Sequence, residues 1–314
     1  MCNFPSRSLR YWLQIGSLGL TLGFTAGWAQ EQTPPKVSDA SSSSQTLPGA
    51  GTESAPTPVT ARKGMLFGGL TRAQAEEFLL NAKIISIKDI SVGVTVPQRA
   101  TLSDGKFKHD AKVQSIDIQK TSFQTLKGTE FDFRDSYKFN LAAFELDKLL
   151  ELNMVPPCVE RKVGGRAASV SWWVDDAMME LDRQKKKIQP PDSIRFNQQK
   201  SMYQVFNQLI YDTDPNQGNI LYDKDWKIWI VDQTRAFRKF KTLENPKILS
   251  HCDRKLLEKL RGLRKEVLEQ KLKPYIGDMQ LEAILARRDL IVKFFDEQIA
   301  QHKPTLFDFE PDLK

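Results

Sequence analysis

Isoleucine and valine crowd the first folded stretch, at Ile84, Ile85, Ile87, Ile90, Val92, Val94 and Val96, a composition that predicts strands. A turn signature follows at Ser103, Asp104 and Gly105, and strand character returns over residues 111–118. The period then changes. Phe139, Ala142, Ala143, Leu146, Leu149 and Leu150 share one helical face, Asp135 or Ser136 can cap the first turn, and Pro156 marks the end. Strands are predicted again over residues 159–163 and 167–174. Strands, one helix and two further strands describe an antiparallel sheet with a helix packed on it, an α+β lobe.

Beyond Asp175 the pattern is mainly helical. Met202, Val205, Phe206, Leu209 and Ile210 make residues 196–211 an amphipathic helix. It runs into YDTDPNQGNILYDKDWKIWIVDQTRAF, where residues 219–222 and 226–231 read as two short strands joined by the tight turn Asp223, Lys224, Asp225. Residues 254–273 carry Leu256, Leu257, Leu260, Leu263 and Val267 at helical spacing. Residues 279–300 repeat the pattern with Leu281, Ile284, Leu285, Ile291, Phe294 and Phe295.

The two ends of this pattern set the chain's organisation. Arg7 and Arg10 precede an uncharged apolar stretch broken by Gly16, Gly19 and Gly23, shorter than a membrane-spanning helix needs. It predicts a signal peptide over residues 1–29, cleaved after Ala29. The expected address is periplasmic or extracellular, with no stable membrane span after cleavage. Residues 30–62, rich in Ser, Thr, Pro, Gly and Ala, cannot bury a core and predict a flexible linker. The formal charge is +7; removing two arginines with the leader, and no acid, leaves +5. Much of that excess lies in residues 254–273 as a solvated basic face, and no aromatic-interleaved basic patch points to nucleic acid. Cys158 and Cys252 allow one disulfide in an oxidising compartment. With only His109, His251 and His302 beside them, they supply neither a zinc site nor a Ser-His-Asp or Cys-His arrangement.

The residues that can carry chemistry are Asp214, Asn219 and Asp232. Asp214 lies on the loop after a helix, and Asn219 and Asp232 stand at the two ends of the predicted hairpin, which brings them together. Asp-Pro-Asn-Gln-Gly-Asn is also a good turn sequence with no chemistry required. The carboxylate ending the apolar strand IWIVD decides more: partly buried, it needs a partner such as Arg235 or a metal. Oxygen ligands suit a hard cation, with Asn219 and Asp232 as the metal ligands and Asp214 as the free base. Asp212, Asp214, Asn216 and Asp223 imitate a calcium loop, but Gln217 fills the position that needs glycine and Pro215 intrudes.

This spacing resembles the catalytic loop and metal aspartate of the protein-kinase superfamily, in the style of its atypical branches. These are the phosphoinositide 3- and 4-kinases, the HipA-type bacterial kinases and the secreted-pathway casein-kinase-like enzymes. RDSYKFNLAAFELDKLLELNMVP resembles their regulatory helix and following strand, SWWVDDAM their interlobe hinge, and ARRDLIVKFF a late helix of an uncharacterised bacterial group. The resemblance implies a two-lobed kinase-like fold, a sheet lobe over residues 63–174 and a helical lobe over 175–314. It also implies binding of ATP with Mg²⁺ or Mn²⁺ and transfer of phosphate to a protein or small-molecule hydroxyl, with Asp214 as catalytic base. The phosphate-facing lysine of such folds falls at Gln114, with Lys112 two residues away on the same strand face. The glutamate that normally pairs with it falls at Asn140, and the glycine-rich loop is reduced to Gly93. Those three departures favour the alternative of a catalytically inactive pseudokinase serving as a binding or scaffold module.

Overall fold

The computed structural model describes residues 67–90, 97–125 and 128–310. The leader, the linker, Gly93 and the run Val92 to Val96 lie outside the described residues. The described chain opens with a helix that hydrophobic periodicity misses, α1 (Arg72–Asn81), which buries only Ala75, Phe78 and Leu79. Its start is fixed by a capping box: the Gln74 N–H donates to Thr71 Oγ1 at 3.3 Å, and the Thr71 N–H donates to Gln74 Oε1 at 2.9 Å.

Five antiparallel strands follow in the spatial order β1-β2-β3-β7-β6. They are β1 (Lys83–Asp89), β2 (Gln98–Ser103), β3 (Lys108–Gln114), β6 (Cys158–Val163) and β7 (Arg166–Trp172). Strand character over residues 111–118 is not one element. β3 ends at Gln114, and a separate two-stranded hairpin, β4 (Asp117–Thr125) with β5 (Gly128–Ser136), precedes α2 (Tyr137–Leu150). Ser136, not Asp135, is the N-cap of α2. The buried Asp147 carboxylate of α2 accepts from the Met154 and Val155 N–H groups at 2.8 and 3.1 Å, and Arg72 pairs with it at 2.9 Å. One carboxylate thereby sets the turn into β6 and pins α1 to α2.

The second lobe contains α3 (Glu180–Lys185), α4 (Ser193–Ile210), α5 (Arg254–Gly262), α6 (Lys265–Leu272) and α7 (Asp278–Ala300). Its three-stranded sheet runs in the order β10-β9-β8, with β8 (Met178–Met179), β9 (Ile220–Tyr222) and β10 (Ile228–Ile230). Two-residue strands β11 (Cys252–Asp253) and β12 (Leu306–Phe307) pair in parallel. The basic stretch 254–273 is two helices, because the chain leaves helical geometry at Leu263 and Arg264. Its cations are largely neutralised by pairs such as Arg254–Asp308, Lys259–Glu151 and Arg261–Asp296. Cys158 and Cys252 are both buried and free, so the allowed disulfide is not formed.

Two cores meet at β10. Ile228 and Ile230 point into the helical core with Phe206, Leu209 and Ile284, whereas Trp229 between them enters the sheet core with Phe67, Leu102 and Trp172. Strand alternation on one short hairpin thus anchors it in both cores. The loops at its ends lie where the two cores join. Of the tryptophan pair, Trp172 is core, and Trp173 lies under the Arg99 guanidinium at 4.2 Å.

Candidate functional site

The hairpin holds its shape through Asp223. Its carboxylate accepts from the Asp225 and Lys227 N–H groups at 3.0 Å each and from the Trp229 indole N–H at 2.9 Å. The ladder continues one rung past the strands: the Val231 N–H donates to the Asn219 carbonyl at 3.0 Å. Asn219 is therefore opposite the residue that precedes Asp232. Asp232 itself takes a left-handed backbone, φ +66°, a conformation costing of order 1–3 kcal/mol for a non-glycine residue. It breaks the strand's alternation at the residue where chemistry is expected.

Asp232 points at β3. Its Oδ2 lies 3.0 Å from the Lys112 ammonium, and its Oδ1 accepts from Gln114 Nε2 at 2.9 Å and from the Thr234 hydroxyl at 3.3 Å. Burial pushes the Asp232 carboxyl up, but the Lys112 charge and these hydrogen bonds outweigh it and hold the group below the usual aspartate range. The partner of this carboxylate is thus Lys112 and not Arg235. Arg235 turns away, 3.7 Å from Asp214 Oδ2 and 2.6 Å from Glu130 Oε2.

Gln114 and Asn140 touch. Asn140 Nδ2 donates to Gln114 Oε1 at 2.8 Å and to Ser169 Oγ at 3.1 Å, and Asn140 Oδ1 accepts the Gln233 N–H at 2.9 Å. β3 and α2 are therefore joined by a buried neutral amide pair. Two amides cost far less to bury than two charges. Glu145, farther along α2, pairs with Lys148.

Asp214 is positioned by its neighbours. Its N–H donates to Asp212 Oδ1 at 3.0 Å, and the Asn216 N–H donates to its carbonyl at 2.7 Å. Thr213 binds the Arg235 carbonyl through its hydroxyl at 3.1 Å, tying the loop to the segment after Asp232. β9, not a helix, follows this loop, which disposes of the calcium-loop reading. Burial, with the charges of Asp214, Asp232 and Glu244, pushes Asp212 up to about 7, although the Asp214 N–H pulls the other way.

Glu130 and Thr234 carry no signal in the sequence, Asp135 is expected there only as a helix cap and Arg235 only as a partner of Asp232. Glu130 and Asp135 lie on the β4–β5 hairpin, where Phe133 is buried and stacks on Phe123 at 4.3 Å while Phe131 is exposed, too little to mark a strand face in the sequence. Acidic groups outnumber cations here: Asp135, Asp212, Asp214, Asp232 and Glu130 face Lys112, Arg235 and Arg238. Among the described residues no three His, Cys, Asp or Glu side chains gather closely enough to hold an ion alone. A cation held by Asp232 and Asn219 together with water and phosphate oxygens does not require such a cluster, and magnesium is commonly bound so. The donor set of an ionised carboxylate and an amide oxygen fits it.

No protein-family model and no curated protein matches this sequence. Solved structures do. A hydra Fam20 structure with sugar aligns at TM-score 0.54 and 14% identity, covering 76% of this chain and 93% of that one. The Golgi casein kinase aligns at TM-score 0.54 and 12% identity, covering 77% and 79%. Its form with Mn/ADP bound aligns at 0.50 and 12%, covering 77% and 80%. The chain therefore shares the fold of the Fam20 and Golgi casein kinase structures over 76% and 77% of its length.

Proposed function

We propose that this chain is an exported kinase-like phosphotransferase that binds ATP with Mg²⁺ or Mn²⁺ and passes phosphate to a hydroxyl of a protein or small molecule. The observation that carries the reading is the 3.0 Å contact between Lys112 and Asp232. The ammonium of the sheet lobe reaches the carboxylate at the end of the hairpin although the lysine expected two residues along is absent. A bound divalent cation would neutralise phosphate charge, with Asp232 and Asn219 as its protein ligands. Lys112 would then face phosphate oxygens in place of Asp232. Gln114 offers the nucleotide an amide, and Gly93 the little that remains of a phosphate loop.

Asp214 is the proposed base. Its carboxylate is half exposed and lies 3.7 Å from the Arg235 guanidinium. Orienting an acceptor hydroxyl needs this exposure. Export rests on the leader of the sequence and is supported by a structural neighbour named for the Golgi. Among the described residues no helix is long and apolar enough to cross a membrane.

ADP formation by the purified chain with ATP, Mn²⁺ and a panel of hydroxyl acceptors tests catalysis. We expect Asp214→Asn to lower turnover by roughly a hundredfold or more while leaving nucleotide affinity near wild type. The Gln114–Asn140 amide pair supports a second reading, a pseudokinase that binds nucleotide as a scaffold. Nucleotide binding with no Asp214-dependent turnover would establish that reading instead.

A further inference from the structure

One carboxylate beside the site has no assigned task. Asp135 is only 7% exposed, and its Oδ1 has no hydrogen-bond partner among the described residues. A buried oxygen acceptor in that state is costly unless something binds it. Its position next to a helix start does not account for it, because Ser136 performs the capping, its hydroxyl accepting from the Lys138 N–H at 3.4 Å.

The backbone shows what Asp135 faces. The Ser136 N–H donates to the Thr234 carbonyl at 2.8 Å, so the end of β5 runs beside the residues following Asp232. The Thr234 hydroxyl donates to Asp232 Oδ1 at 3.3 Å; burial pushes the Asp135 carboxyl up, and the neighbouring Thr234 hydroxyl pulls the other way. That hydroxyl has one proton for two carboxylates. The charges of Asp232 and Asp214 both bear on Asp135, and Arg235, already engaged with Glu130 and Asp214, is the cation that answers them.

We propose that Asp135 is a second acidic ligand of the cation site, closing on the same ion as Asp232 from the far side of Thr234. The inference rests on the cation reading given above. Its chemistry is that of a hard divalent metal: two carboxylate oxygens and an amide oxygen, with the remaining positions left to water or phosphate. The neutral Gln114–Asn140 pair gives the arrangement a rationale. Where Asn140 leaves α2 without an acid at the site, Asp135 supplies one from the end of β5, five residues earlier in the chain.

Isothermal titration of the purified full chain with Mn²⁺ alone, without nucleotide, tests this. Wild type is expected to bind. Asp135→Asn, which keeps shape and removes charge, is expected to weaken Mn²⁺ binding by roughly tenfold or more while melting near wild type without metal. Wild-type affinity in Asp135→Asn, alongside loss of binding in Asp232→Asn, overturns the role of Asp135 and leaves the cation reading standing. No Mn²⁺ binding by wild type, either alone or in a repeat titration with ADP present, overturns both. Should Asp135→Asn not fold, the same titration on Asp135→Ser, whose hydroxyl can still meet Thr234, decides the question by the same outcomes.

Discussion

Lys112→Met is expected to cost the protein twice, once in stability and once in nucleotide affinity. Without Lys112 the Asp232 carboxylate keeps Gln114 and Thr234 as donors but loses its compensating charge. Breaking a fully buried pair costs about 3–5 kcal/mol. Here Lys112 and Asp232 are 17% and 24% exposed, so water recovers part of the loss and about 2 kcal/mol is expected. The sign of its pH dependence follows from the depressed Asp232 carboxyl. A folded pKa below the unfolded one contributes stability that is complete above the ordinary carboxylate range and is lost as pH falls through the folded value. The gap between wild type and Lys112→Met in urea unfolding is therefore widest at neutral pH and closes in acid. ATP affinity should fall by roughly a hundredfold, about 2.7 kcal/mol, since a charge-assisted contact to phosphate is removed. Unchanged ATP affinity in a destabilised variant would leave Lys112 a structural residue only.

The second large effect is expected far from nucleotide. Arg287 of α7 is fully buried, and no carboxylate pairs with it among the described residues. It donates to three backbone carbonyls: Leu209 at 2.8 Å, Arg238 at 2.9 Å and Phe240 at 2.6 Å. Its guanidinium also lies 5.6 Å from the Tyr211 ring centroid. Burial pulls its pKa down to about 10, which still leaves it charged at neutral pH. Replacing a buried charge by an apolar side chain can be neutral when its partners are replaced too. Backbone carbonyls cannot be replaced. Arg287→Met is therefore expected to destabilise by about 4 kcal/mol in urea unfolding, the cost of carbonyls left without donors. Because Leu209 lies in the last turn of α4, shortly before Asp212 and Asp214, and Arg238 follows Asp232, the same change should loosen the site. A loss below about 1 kcal/mol would mean that water replaces the guanidinium.

These effects trace back unevenly to the sequence. The hairpin carrying Asn219 and Asp232 was legible because its turn is tight and IWIV alternates between two buried environments. α2 was legible from its apolar face. α1 escaped because RAQAEEFLLN has little such face, although Thr71 and Gln74 spelled its capping box. The β4–β5 hairpin escaped because polar residues interrupt its strands and leave Phe133, stacked on Phe123, as its one buried apolar side chain among the described residues. Pairwise chemistry was hardest to read. Asp232 plainly needed a partner, but only the packing of β3 against the segment after β10 shows that Lys112 reaches it, while Arg235 turns to Asp214. The amide pair Gln114–Asn140 illustrates the same point: two substitutions that look like separate losses in sequence are one hydrogen bond in the fold.

Lys112 of β3 and Asp232 are proposed to part and take a nucleotide with a divalent cation between them. Thermal unfolding of the purified chain with and without ATP and Mn²⁺ tests it most directly. At a ligand concentration about 100 times its dissociation constant, stabilisation of about 2.7 kcal/mol is expected, and none in Asp232→Asn. Identical melting of wild type with and without the nucleotide and metal, across a wide concentration range, would contradict the account.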